Sequence, residues 1–180
     1  MGVEVEIQQY LFTSKNLYTI RPSFRMNCLH DLESQWWGAM WVLLRHTDSK
    51  SPTSDVDGQL KCFHTAFPPL YKRQTRHPFF LKPNMFCALA TLSESYRDVF
   101  ASIVGLAYQL QDCYEKAEKH YPEVRLSDDL VQEAHKVASD AYSGSFERIS
   151  GSDIELILLT KKRDSGCLST GRENKRARRA

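Results

Sequence analysis

Between Cys28 and Thr47 apolar residues fall on every side of a helical repeat. Trp37, Met40, Trp41 and Leu44 recur at i, i+3, i+4 and i+7, and Leu32, Trp36, Ala39 and Leu43 form a second stripe on another side. A helix that is apolar all round belongs in an interior, so the segment predicted over roughly 31–46 reads as a central strut. All three tryptophans sit in it. Asp31 is placed to cap its first turn, and Glu33 adds negative charge at the positive end of the helix dipole.

The remaining pattern predicts more helices around that strut. Residues 1–27 read as irregular, with a short extended piece at Tyr10–Phe12, and Arg21-Pro22 disfavours helix there. Residues 47–58 form a polar run rich in turn formers, expected to be a flexible loop. A helix is expected within Gln59–Gln74, interrupted by Pro68-Pro69, with Phe63, Phe67, Leu70 and Tyr71 as its apolar set. An aromatic segment around Phe79, Phe80 and Phe86 follows, containing a short helix that begins near Lys82-Pro83-Asn84. Ser93 opens a long helix whose stripe runs Tyr96, Val99, Phe100, Ile103, Ala107, Leu110, Tyr114, Ala117 and Tyr121 up to Pro122. Ser127 opens another, carrying Leu130, Val131, Ala134, Val137, Ala138 and Ala141, expected to end before Gly144. Ile154–Leu159 fits either a short strand or a helix end.

Composition narrows the class. With 180 residues, 42% of them hydrophobic, the chain is long enough for one core. No apolar run approaches the ~20 residues of a membrane helix and the Met1 end lacks a secretory layout, so an intracellular location, cytoplasm or nucleus, is expected without a membrane partner. Five widely spaced cysteines, Cys28, Cys62, Cys87, Cys113 and Cys167, read as reduced packing residues. Cys28-x-His30 and Cys62-x-His64 offer two sulfurs and two imidazoles, but the x1 spacing is narrower than zinc sites use, and residues two apart on a helix diverge; no metal is expected.

Charge divides the chain. Residues 161–180 carry eight basic and two acidic side chains, hence +6; the whole chain is +2, which leaves −4 for residues 1–160. The segment is nearly devoid of apolar residues, so the expected organisation is a helical domain over 1–160 and a basic disordered tail over 161–180. Within the tail, Lys175, Arg176, Arg178 and Arg179 form a run of the kind that reads as nuclear targeting or as a nucleic-acid patch.

Residue order adds a family resemblance. H-D-L-E-S-Q-W-W (His30 to Trp37) resembles the start of the central helix in the C-terminal lobe of the fungal-type protein kinases, a divergent branch of the protein kinase fold. Phe24 to Asp31, F-R-M-N-C-L-H-D, is similar to that family's approach to the helix, and Met1-Gly2-Val3-Glu4-Val5 resembles its version of the A-P-E segment. Gly2 and Val3 replace Ala and Pro of the general pattern, and Glu33 stands where many kinases have Trp. The resemblance covers most of residues 1–145, strongly at 1–47 and by helix order afterwards.

The resemblance implies a mainly α fold like the helical C-terminal lobe of a protein kinase, truncated before the catalytic loop. Asp31 would match the acid at the start of the central helix that holds the H-R-D loop, Glu4 the A-P-E glutamate that pairs with an arginine, and Glu33 and Trp37 the helix motif; all four are architectural. The family uses ATP and Mg, but no G-x-G-x-x-G, H-R-D or D-F-G occurs in the chain, so no cofactor and no catalytic residue is expected. The reading is a noncatalytic fragment or remnant, inactive alone although its family is protein kinase. In an intact lobe, helices earlier in the chain cover the central helix. Leaving it bare costs several kcal/mol at ~25 cal/mol per Å², so the expectation is that residues 93–142 fold across it, that a protein partner covers the exposed face, or that the chain is an incomplete gene product that folds poorly. The alternative function is a small helical nuclear adaptor whose tail binds nucleic acid or an import receptor.

Overall fold

A computed structural model of the protein describes residues 2–4, 24–68, 76–87, 89–119, 125–151 and 155–159. The architecture among them is mainly helical, with one small ribbon. In chain order the elements are α1 (Cys28–Arg45), β1 (His46–Asp48), α2 (Val56–Ala66), α3 (Arg76–Leu81), α4 (Pro83–Phe86), a 3-10 turn (Leu89–Thr91), α5 (Glu94–Glu118), α6 (Asp128–Gly151) and β2 (Leu156–Leu158).

Helix α1 is the strut that its periodicity predicts. It touches α2, α5, α6 and β1, and Trp36, Met40 and Leu44 have no exposed surface. The cover comes from within the chain: α5 lays its apolar face along α1, α6 packs on α5, and Phe79 and Phe80 of α3 close on the tryptophans. Trp36 Nε1 donates to Ile103 O at 2.7 Å, so the indole's single polar group is satisfied inside the core. Arg76 sits 4.2 Å above the Trp37 ring, a cation–π contact at the rim. Of the covers expected for the strut, residues 93–142 folding across it is the one observed, with α2 and α3 added to it. What stays open on α1 is a strip through Asp31, Gln35, Gly38, Trp41 and Val42, of which Trp41 at 41% and Val42 at 39% are its large apolar members.

Several boundaries move, each for a local reason. The N-cap of α1 is Asn27, not Asp31: Asn27 Oδ1 accepts from Leu29 N at 2.9 Å, and the Asn27 N–H donates to His30 Nδ1 at 2.8 Å. These two bonds make a capping box with histidine in the place usually taken by glutamate. The polar run 47–58 is not a free loop. Its first residues pair as β1 with β2, antiparallel, His46 opposite Leu158 and Asp48 opposite Leu156, which decides the 154–159 ambiguity for a strand. Thr53 N then donates to Thr47 Oγ1 and Thr53 Oγ1 to Thr91 O, and Thr47, Asp48 and Thr53 are buried. Asp55 caps α2 by accepting from Gly58 N, so that helix starts before Gln59 and ends at Ala66, ahead of the two prolines.

The two long helices follow their stripes. Tyr96 through Ala117 of the predicted set are buried on α5; Tyr121 and Pro122 lie outside the described residues. Helix α6 runs through Gly144 to Gly151 instead of stopping before it. Arg148 holds this last part down, donating to Asp98 O and to Ser102 Oγ on α5. The extended piece at Tyr10–Phe12, Leu70 and Tyr71, and the tail 161–180 also fall outside the described residues.

Candidate functional site

Residues of the first turns of α1 and the segment 2–4 meet in a polar cluster whose two carboxylates and imidazole are buried. Glu33, one turn into the helix, has no exposed surface, and its carboxylate gathers three donors. Val3 N donates to Oε1 at 2.6 Å, Trp37 Nε1 to the same oxygen at 2.9 Å, and Tyr114 Oη to Oε2 at 3.0 Å. A buried carboxylate is tolerated only when its lone pairs are occupied, and this one binds together three chain segments by doing so. The role expected of Glu33, a charge on the helix dipole, is thus subordinate to a role as a hub.

Glu4 is the second buried carboxylate. It has no exposed surface and lies 2.8 Å from His30 Nε2. The resemblance implies an arginine partner; this contact is with a histidine. The tautomer follows from geometry: Asn27 N–H points at Nδ1, so Nδ1 accepts, and the imidazole proton resides on Nε2 facing Glu4. Burial drives the His30 pKa below its usual value, against the opposing pull of Glu33, Asp31 and Glu118. The nearness of Glu4 by itself favours an imidazolium, but protonation at Nδ1 would set two N–H groups against each other. The neutral ring satisfies both neighbours, and that is the state we assign.

Tyr114 completes the cluster from α5. Burial, followed by the charges of Glu33 and Glu4, pushes its phenol far above the ordinary range, so it remains a donor. Its ring stands 5.8 Å from that of His30. Gly2 is seated tightly against the cluster: a Cβ there would lie 2.6 Å from Glu33 Oε2. The backbone approaches the carboxylate too closely for alanine unless that carboxylate moves.

Of the residues singled out from sequence, Glu4, Glu33 and Trp37 are brought together, and Asp31 is not. Asp31 is exposed, on the opposite side of the first turn. Lys175, Arg176, Arg178 and Arg179 lie outside the described residues. His30, Asn27 and Tyr114 were missed as members; Asn27-x-x-His30 carried the signal of a capping box, whereas Tyr114 was legible only as part of a stripe. Both ring nitrogens of His30 are engaged by protein groups, which removes it from any Cys28–His30 metal set. Among the described residues no group of three or more His, Cys, Asp or Glu side chains is placed to hold a metal ion. No described helix is long and apolar enough to cross a membrane.

Chemically the cluster is a clamp. Its carboxylates are inaccessible and meet a backbone N–H, an indole, a phenol and an imidazole, so its work is to fasten residues 2–4 to α1 and α5. No protein-family model matches the chain, and comparisons with curated proteins and with solved structures find no match either.

Proposed function

We propose that these 180 residues are a noncatalytic segment of a fungal-type protein kinase lobe, acting as a packing and docking element without phosphoryl transfer of its own. The observation that supports the reading is the seating of Glu4. A glutamate from an A-P-E-like segment is buried against the first turn of a Trp-rich central helix, through His30. The exposed Asp31 fits the same reading, since a chain without an H-R-D motif has no catalytic loop for that acid to hold. Phosphoryl transfer needs positioned phosphate and metal groups, and the motifs that supply them do not occur in this sequence.

Two measurements test the proposal. An experimentally determined structure superposed on the helical lobe of a protein kinase should align α1, the segment 2–4 and α5 together; alignment of α1 alone would sink the family reading. Purified protein incubated with labelled ATP, Mg and a generic protein substrate should transfer no label. Transfer that disappears on mutating a residue of this chain would overturn the noncatalytic part.

A further inference from the structure

Away from the glutamate clamp, two cysteines from different elements converge on one threonine. Cys62, in the middle of α2, and Cys87, just after α4, are 4% and 1% exposed. Cys62 Sγ lies 3.9 Å and Cys87 Sγ 3.8 Å from the same atom, Thr91 Oγ1. Cys62 Sγ also donates to Phe86 O at 3.3 Å. Two thiols brought to one hydroxyl from positions 25 apart in the chain are more than buried packing residues. Each sulfur is within 4 Å of that hydroxyl and each thiol perturbs the other's ionisation, so the two are neighbours across α2 and the turn after α4.

We propose that Cys62 and Cys87 are an oxidisable dithiol that closes to an intramolecular disulfide by exchange with a low-molecular-weight disulfide such as glutathione disulfide. The Cys62 thiolate attacks one sulfur of glutathione disulfide, forming a protein–glutathione mixed disulfide and releasing one glutathione thiolate. Cys87, deprotonated to solvent, then attacks the Cys62 sulfur and expels the second glutathione. Two protein thiols are oxidised, one disulfide is reduced to two glutathione thiols, and the two protein protons pass through water to the expelled thiolates.

The order of attack follows from the surroundings. The neighbouring Cys87 thiol, and after it the Thr91 hydroxyl, bring the Cys62 pKa down to about 7, while the Cys62 sulfur and burial send that of Cys87 well above its usual value. Access is provided by the cover above the pair. It consists of the four-residue α4 and a single 3-10 turn, with Met85, Phe86 and Leu89 exposed on it, and the proposed exchange requires that these short elements open locally to admit the disulfide. Closure ties α2 to this cover through a loop of ~25 residues, which restrains the opening.

The test uses the full 180-residue chain in glutathione redox buffer at pH 7.5, read by peptide mapping under non-reducing conditions. The wild-type protein should yield a Cys62–Cys87 cross-linked peptide. Cys87→Ser should stop at a glutathione adduct on Cys62, formed at least ~10-fold faster than the adduct on Cys87 in Cys62→Ser. A Cys28→Ser, Cys113→Ser, Cys167→Ser variant should still form the bridge. Wild-type mapping stands by itself if a variant fails to fold. Retention of both thiols in native protein, stable double glutathionylation, or a bridge to any other cysteine would overturn the proposal.

Discussion

Tyr114 Oη donates to Glu33 Oε2 at 3.0 Å across 81 residues of chain, deep in the core. The bond joins the second long helix to the first turns of the strut, and Val3 N reaches the other oxygen of the same carboxylate. Tyr114→Phe leaves a buried carboxylate short of one donor and is expected to cost about 1–3 kcal/mol. Urea denaturation checks this. In a double-mutant cycle with Glu33→Gln the two losses should be smaller together than in sum, because either change removes the same bond.

Gly2→Ala tests how tightly the segment is seated. The new Cβ meets Glu33 Oε2, which Tyr114 holds in place, so a loss of about 1–2 kcal/mol is expected. Combined with Tyr114→Phe, which frees the carboxylate to move, the penalty of Gly2→Ala should shrink. An undiminished penalty in the urea midpoint would argue against the clamp.

The tryptophans separate core from surface. Trp36→Ala removes a fully buried indole and its bond to Ile103 O, for an expected loss of about 3–5 kcal/mol. Trp41→Ala acts on a side chain that is 41% exposed and should cost less than about 1.5 kcal/mol. Thermal midpoints of the two variants give the comparison directly.

Gln59 is a cap supplied from another helix. Its Nε2 donates to Leu43 O at 3.0 Å and to His46 O at 2.7 Å, with Leu44 O at 3.4 Å, occupying carbonyls that the end of α1 leaves open. Gln59→Leu should lower stability by about 1–3 kcal/mol. It should also raise amide exchange at 46–48 more than at 36–40, a gradient that a uniform loss of packing does not give.

Acid should weaken the fold through its histidines. Burial lowers the pKa of His30 and of His77 in the folded protein, so each resists protonation more than in the unfolded chain. Their contribution is complete above the unfolded value of about 6.5 and is lost as the pH falls from there toward the folded values. Unfolding free energy measured at pH 7.5 and 5.5 should therefore fall. In His30→Gln the fall should be smaller, and an equal fall would assign the pH dependence to other groups.

Periodicity alone determined the strut, the faces of α5 and α6 and the helical class, because burying a stripe such as Tyr96–Ala117 is a local requirement on spacing. The cap of α1 was also written in Asn27-x-x-His30, although an acid four residues later was the more conspicuous candidate. Tertiary structure alone decided what each polar residue does. Asp31 and Glu33 look alike in sequence, two acids in the first turns of one helix. A difference of two positions, near 200° around the axis, turns one to water and the other into the core. Whether a buried acid is a hub depends on donors that arrive from residue 3 and residue 114, and no local pattern encodes such a meeting. The same holds for Cys62 and Cys87, ordinary apolar-embedded cysteines in sequence, whose sulfurs share a threonine only because α2 and the turn after α4 pack together.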